Sequence, residues 1–201
     1  MTANPWDERY AGADYRYGTT PNDFLEAEAH RLPPAADVLC LADGEGRNGV
    51  FLAGLGHRVT AVDGSAVGLK KASKLAASRG LPLTVVAADL ADFDLGEGSW
   101  DGVISIWCHL PSALRAQVHR GVVRGLRPGG WLILEAYTPA QIGRGTGGPP
   151  DVDMTMTPAA LRAELAGLEV VLLEEKVRDV REGAGHGGPG AVVQLLARKP
   201  A

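Results

Sequence analysis

The segment of this chain best suited to binding a ligand through its backbone is residues 44–49, which read Gly-Glu-Gly-Arg-Asn-Gly. They follow the apolar run 38–41 and open a helix-like segment. Because glycine lacks a Cβ and tolerates positive φ, Gly44 and Gly46 allow a sharp turn and close contact with a bound molecule. The spacing satisfies the GxGxxG dinucleotide pattern, and Asp63 follows at about the ~20-residue offset of a ribose-binding carboxylate. The chain has 27 glycines among 201 residues, so such a spacing also arises by accident. The alternative to a ligand-binding turn is therefore a purely structural one.

Two further polar residues follow predicted strands. Asp89 comes after the apolar run 83–87 and His109 after 101–107, and the carboxyl ends of parallel strands face the crevice where open α/β sheets bind ligands. An imidazole has an ordinary pKa near ~6.5, so His109 is our candidate acid or base. Its alternative role is to hold the turn before Leu110 and Pro111.

The elements that position these residues alternate between strands and helices. After a short helix starting near residue 21, the pattern predicts strands at 38–41, 58–62, 83–87, 101–107 and 131–136, with helices at 47–55, 65–78 and 114–126. Each strand is a nearly continuous apolar run of the kind buried on both faces. A helix near Pro158 and runs at 169–177 and 191–197 predict an antiparallel hairpin with a long glycine-rich tip at 182–190. The fold class is therefore α/β, a Rossmann-like doubly wound sheet that is mostly parallel.

Composition narrows the function. The length and the 45% hydrophobic content suit one globular domain, and a net charge of −4 with no basic cluster argues against a nucleic-acid partner. Cys40 and Cys108 lie in apolar runs, so we expect reduced thiols and no metal. No apolar run reaches the ~18 residues of a membrane span, and the first residues lack signal-peptide regions, so we expect a cytoplasmic protein without a membrane partner. The oligomeric state stays open.

Over about residues 35–200 the chain resembles the class I S-adenosylmethionine-dependent methyltransferases. Four segments carry the likeness: residues 38–49, 59–63, 85–90 and 126–135. The last discriminates best, because its Leu-x-Pro-Gly-Gly turn is a habitual entry to strand five in these enzymes and is not expected there in a nicotinamide domain. Gly-x-Gly-Arg-Asn at 44–48, the aromatic opening at 6–10 and Gly-Gly-Pro at 147–149 resemble the small bacterial methyltransferases related to tellurite resistance proteins.

The resemblance implies S-adenosyl-L-methionine as the cofactor, S-adenosyl-L-homocysteine as its product, a seven-stranded sheet and direct methyl transfer to a small-molecule acceptor. It assigns the ribose hydroxyls to Asp63 and the adenine to Asp89 and the Leu90 N–H. Asp63 also has a structural alternative, capping the next helix together with Ser65. Other implied cofactor-binding residues are Ala42, Gly44, Glu45, Gly46, Asn48, Gly64, Ser65, Ser105 and Tyr17.

Residues 1–34 are expected to form an aromatic lid and helix on a methyltransferase domain of residues 35–201. In the lid, Trp6 and Tyr10 are candidate acceptor-binding residues, with core packing as the alternative. The late loops supply further candidates, each of which also suits a solvated loop position: Arg144, Arg178, Arg181 and His186. Arg47 is poorly placed for the dipole at a helix N-terminus, so we expect it to meet an N-terminal carboxylate, the cofactor carboxylate or solvent.

The chain departs from the family pattern at two positions. Many methyltransferases have an acidic residue at the position of Cys40 and glycine at that of Ala42. The missing acid loosens the expected hold on the methionine amino group, which either Asp43 or the carbonyls of Leu41 and Ala42 would partly replace. Two alternative functions therefore remain: a cofactor-binding sensor or interaction protein without catalysis, and an NAD(P)-dependent oxidoreductase.

Overall fold

A seven-stranded mixed sheet organises the computed structural model, which describes residues 4–201. The strands β1 to β7 are Asp37–Leu41, Arg58–Asp63, Thr84–Ala87, Trp100–Ile106, Leu126–Tyr137, Glu169–Glu182 and His186–Arg198. The helices α1 to α6 are Pro5–Tyr10, Asp23–Glu28, Arg47–Gly54, Ala66–Ser78, Ser112–Gly125 and Pro158–Glu164. Single 3-10 turns cover Ala29–Arg31, Pro139–Gln141 and Val152–Met154. No helix within residues 4–201 is long and apolar enough to cross a bilayer.

The strand order is β3-β2-β1-β4-β5-β7-β6. Strands β1 to β5 pair in parallel, whereas β7 runs antiparallel to both β5 and β6. The predicted fold class, a doubly wound and mostly parallel sheet with a C-terminal antiparallel hairpin, is confirmed. Because the order reverses at β1 and β4, the carboxyl ends of these two strands flank the crevice where such sheets bind ligands.

Side chains of β1 divide between two apolar cores, one on each face of the sheet. Leu39 and Leu41 pack in the core that includes Val122 of α5. Val38 and Cys40 pack in the core that includes α2 and α3. This alternation follows from the two-residue period of a strand, and helices on both faces bury the central strands completely.

Two sequence predictions need correction. Strand β3 is not buried on both faces, since it lies at the sheet edge with Val85 37% exposed. The hairpin tip is short, because β6 continues to Glu182 and β7 begins at His186. The N–H groups of Ala184 and Gly185 both donate to the Arg16 carbonyl, so the N-terminal segment holds the glycine-rich tip in an ordered turn.

Gly46 gives a direct test of the glycine turn. It has a φ of 87°, and a Cβ there would lie 2.5 Å from the Ala72 Cβ. We expect Gly46→Ala to lower the free energy of unfolding by about 2–4 kcal/mol, from left-handed backbone strain plus overpacking. Urea denaturation measures this, with Gly12→Ala as the matched control because a Cβ at Gly12 meets nothing within 4 Å. Equal effects of the two substitutions would contradict both the left-handed backbone at Gly46 and its close packing against α4.

Candidate functional site

A cavity of about 340 Å³ lies at the carboxyl ends of the parallel strands. The turn after β1, the ends of β2 and β4 and the segment after β3 form its floor, while the N-terminal segment and the loop after β5 cover it. Most predicted site residues line this cavity: Trp6, Tyr10, Tyr17, Ala42, Glu45, Arg47, Asn48, Asp63, Gly64, Asp89, Leu90, His109 and His186. The tertiary structure thus brings the lid, the glycine turn and the late hairpin to one place.

Other predicted site residues do not line the cavity. The space above Gly44 is taken by the Tyr10 hydroxyl, which would lie 2.6 Å from a Cβ, and the space above Gly46 by Ala72. These two glycines therefore accommodate protein atoms rather than leaving room for a ligand.

Two predicted serines are also occupied elsewhere. The Ser65 hydroxyl donates to Asp7 Oδ1 at 2.6 Å, and Ser65 also caps α4. Ser105 is a buried residue of β4, and the cavity begins beyond it.

The late-loop arginines point elsewhere too. Arg144 donates to the Ala140 carbonyl in an exposed loop, and Arg181 pairs with Asp179 while its side chain is 86% exposed. Arg178 instead makes two hydrogen bonds to the fully buried Glu135. Arg178 and Arg181 differ because alternate residues of the extended β6 face opposite sides of the sheet, whereas Arg144 belongs to the exposed loop after β5.

The Asp63 carboxylate organises the turns around the cavity. Its Oδ2 accepts from the Gly44 N–H at 2.9 Å and its Oδ1 from the Ser65 N–H at 2.7 Å. Burial raises the pKa of Asp63, and these two N–H donors oppose that shift. The structural alternative considered for Asp63 is therefore present, and cofactor binding by Asp63 remains a prediction. Asp89 is similar, since its Oδ1 accepts from the Ala91 N–H within its own turn.

Asp43, at the end of β1, presents an unsatisfied oxygen. Its Oδ1 accepts from the Gly49 N–H at 3.2 Å, whereas the buried Oδ2 has no hydrogen-bond partner among residues 4–201. Burial raises the pKa of Asp43 to about 7, with the Gly49 N–H acting against the shift and the Asp63 charge adding to it. A Cβ at Gly49 would lie 2.5 Å from this oxygen, so Oδ2 faces the backbone of α3.

The N-terminal segment is bound over the glycine turn by Glu45 and Lys71. Glu45 forms an ion pair with Lys71 and accepts from the Arg16 N–H at 2.8 Å. Lys71 also donates to the carbonyls of Gly12 and Asp14. Glu45 also lines the cavity, so its carboxylate attaches the lid and its predicted cofactor contact remains a prediction.

Glu182 is the functional-site residue that the sequence analysis missed. One oxygen, Oε2, accepts from Trp107 Nε1 at 2.6 Å, Arg47 Nη2 at 2.7 Å and His186 Nδ1 at 3.1 Å. The other, Oε1, accepts from Asn22 Nδ2 at 2.8 Å. Burial favours the neutral acid, but His186, Arg47 and Asn22 together lower the pKa of Glu182 to about 2. Arg47 thus pairs with a carboxylate from the C-terminal hairpin and not with one from the N-terminal segment. The only sign of this pair in the sequence was a cation at the start of a helix, where the helix dipole disfavours it.

Trp107 was also missed, although it lies where β4 ends. Its φ is 57°, a left-handed conformation that is an outlier for a bulky residue, and Ala42 at the end of β1 has a φ of 51°. The Trp107 ring stacks on Tyr137 with centroids 4.3 Å apart. Strained backbone at both strand ends beside the cavity is typical of functional sites.

His109, in the cavity wall, has a backbone group against each of its two ring nitrogens. His109 Nδ1 lies 3.1 Å from the Met154 carbonyl and Nε2 lies 3.5 Å from the Tyr137 nitrogen, so both ring nitrogens face backbone groups. Burial lowers the pKa of His109 to about 4, against the hydrogen bond to Met154. His109 is therefore a weaker base than predicted. Within residues 4–201, no group of three or more His, Cys, Asp or Glu side chains is arranged to hold a metal ion.

Comparisons with known proteins agree with this geometry. Residues 38–130 match the family model described as a methyltransferase domain. No curated protein matches the chain.

Among solved structures, a SAM-dependent methyltransferase from Methanosarcina mazei has a TM-score of 0.72 and 18% identity, over 87% of this chain and 97% of that one. N-methyltransferase NodS from Bradyrhizobium japonicum has a TM-score of 0.67 and 16% identity, over all of both chains. TehB from Haemophilus influenzae has a TM-score of 0.71 and 18% identity, over 96% of this chain and 65% of that one. At these identities the likeness shows the fold.

The buried Arg47–Glu182 pair gives a stability test. We expect Arg47→Met to lower the free energy of unfolding by about 3 kcal/mol, because it leaves a buried carboxylate without its nearest cation. Arg181→Met is the matched control, and removing its exposed pair should change the value by less than about 0.5 kcal/mol.

The pH dependence has a definite sign. The folded pKa of Glu182, about 2, lies below its ordinary 4.5, so the stabilisation is complete above pH 4.5 and is lost as the pH falls toward 2. Denaturant unfolding of the wild type and the Arg47→Met variant across this range measures it. A difference between the two proteins that does not shrink at low pH would contradict the assignment.

Proposed function

We propose that this protein is an S-adenosyl-L-methionine-dependent methyltransferase that acts directly on a small-molecule acceptor. The single observation that carries the proposal is one continuous cavity lined by Asp43, Asp63 and Asp89 at one end and by Trp107 and the two histidines at the other. Carboxylates suit the amine and the ribose diol of this cofactor, and aromatic rings suit its sulfonium. The methyltransferase-domain match at residues 38–130 supports the same assignment.

The residues present fit this cofactor. Asp43 lines the cavity just after β1, and the Ala42 backbone beside it is already turned into the left-handed region. Asp63 and the Asp89–Leu90 turn would hold the ribose and adenine. When bound, S-adenosyl-L-methionine supplies a methyl group on a sulfonium, whose leaving group is already activated.

The protein's part is then alignment and exclusion of water. Tyr10 is 6% exposed and Trp6 41%, so the lid covers the cavity with one buried ring and one exposed ring. The Arg9 guanidinium lies 4.8 Å from the centre of the Trp6 ring. The proposal includes a lid of residues 1–34 on a single domain of residues 35–201. It also includes a cytoplasmic location. Residues 1–3 of the lid lie outside the described structure.

Kinship with the tellurite-resistance branch is a finer proposal. The Gly-x-Gly-Arg-Asn turn and the likeness of fold to TehB support it. The same fold also occurs in the [4+2]-cyclase SpnF, with a TM-score of 0.70 and 19% identity, over 98% of this chain and 92% of that one. One fold thus serves more than one reaction, and an activity assay identifies the reaction of this protein.

Calorimetric titration with S-adenosyl-L-methionine, S-adenosyl-L-homocysteine and NAD tests the cofactor. We expect both sulfur nucleosides to bind below millimolar concentration and NAD not to bind. Asp63→Asn should weaken their binding at least tenfold, because a neutral amide replaces the charged acceptor. Asp92→Asn, an exposed position outside the cavity, is the control and should leave affinity unchanged. Binding of NAD alone would indicate an oxidoreductase instead.

A screen of oxyanions, thiols, amines and phenols, read by S-adenosyl-L-homocysteine production, then tests catalysis. Product formation with at least one acceptor is expected. Cofactor binding without product from any acceptor class would favour the sensor alternative.

A further inference from the structure

The acceptor end of the cavity carries a histidine–carboxylate pair from the C-terminal hairpin. Glu182 ends β6 and His186 begins β7, and the two residues pair directly across the tip. His186 Nδ1 lies 3.1 Å from Glu182 Oε2, and both side chains are less than a tenth exposed. A carboxylate oxygen only accepts, so Nδ1 carries the proton and Nε2 has the free lone pair.

The rest of the imidazole faces the cavity. His186 lines it, and its Nε2 makes no hydrogen bond to any residue in the described part of the chain. The ring is fixed by aromatic neighbours, with centroids 4.7 Å from Tyr17 and 5.2 Å from Trp107. On its remaining side, Gly147 packs so closely that a Cβ there would lie 2.6 Å from His186 Cδ2. His186 is thus oriented, and its basic nitrogen is available.

Charge at this end of the cavity favours an uncharged acceptor. Arg47 is neutralised by Glu182, and Arg178 behind it is neutralised by Glu135. The wall near His186 is otherwise aromatic or apolar, with Trp107, Pro149 and Met154. Arg9 also lines the cavity, but its guanidinium lies over the Trp6 ring in the lid. An anionic nucleophile would therefore find no uncompensated cation beside His186 among these residues, whereas a neutral O–H, N–H or S–H group would find the Nε2 lone pair.

We propose that His186 is the proton acceptor for the methyl acceptor, that Glu182 is its positioning residue, and that the substrate class is a neutral protic nucleophile. The acceptor's lone pair forms the bond to the methyl carbon, and the carbon–sulfur bond breaks with its electron pair left on sulfur. The acceptor proton moves to His186 Nε2, so the positive charge of the sulfonium ends on the imidazolium. This inference rests on the proposed methyl transfer and names the base for it, in place of His109.

The decisive measurement needs no turnover. Long-range ¹H–¹⁵N correlation spectra of the full chain, with and without S-adenosyl-L-homocysteine, report which nitrogen of each histidine carries the proton. At pH 8 we expect a proton on Nδ1 of His186, which faces Glu182, and a bare Nε2. A Nε2–H tautomer or a doubly protonated ring would overturn the proposal, whether or not the cofactor binds.

Kinetics then separate a proton acceptor from a structural residue. With an acceptor that scores in the screen above, we expect His186→Asn to lower kcat about 100-fold while KM changes less than threefold. Glu182→Gln keeps an oxygen that accepts from Nδ1 but removes the charge, and should lower kcat about tenfold. His30→Gln is the matched control, since His30 is exposed and outside the cavity.

Calorimetry with S-adenosyl-L-homocysteine shows whether each variant is folded. Unchanged kcat in a His186→Asn variant that still binds the nucleoside would overturn the role of His186 and leave the methyltransferase assignment intact. A wild-type protein that binds neither sulfur nucleoside would instead refute the proposed function.

Discussion

The buried carboxylate of Glu182 is the constraint on which the arrangement of the site depends. It accepts hydrogen bonds from Asn22 before α2, Arg47 at the start of α3, Trp107 after β4 and His186 in β7. A buried charge is costly unless it is paired, so these four segments must meet at one point. That requirement connects the N-terminal segment, both halves of the parallel sheet and the hairpin around the cavity.

A second group of carboxylates organises the opposite end of the cavity. Asp63 fixes the backbone of the glycine turn and of the α4 N-terminus, and Glu45 attaches the lid through Lys71. Among residues 4–201, Asp43 Oδ2 has no hydrogen-bond partner. All three acids therefore bind groups of the protein itself, which preorganises the cavity before a ligand arrives.

Backbone strain accompanies both ends of the cavity. Ala42 and Trp107 occupy the left-handed region where β1 and β4 end, the two strands that flank the reversal of strand order. Each costs about 1–2 kcal/mol, which the surrounding cores must offset. A glycine would adopt the Ala42 conformation without this strain, because it has no Cβ. Trp107 is held there by Tyr137 on its face and Glu182 on its nitrogen.

The sequence by itself determined the order and type of the elements, because buried parallel strands are continuous apolar runs and glycine turns mark where they end. It also predicted that Asp63, Asp89 and His109 would meet at one edge of the sheet, since the carboxyl ends of parallel strands converge there. It could not determine which of these groups are free to act: Asp63 binds backbone amides, and both nitrogens of His109 face backbone groups. Nor could local pattern reveal that Glu182, in a glycine-rich stretch, is buried against Arg47 at a separation of 135 residues. Only the tertiary structure decided that pairing. Ion pairs between distant segments leave no periodic signal in the sequence, and this one forms because the hairpin packs against the sheet.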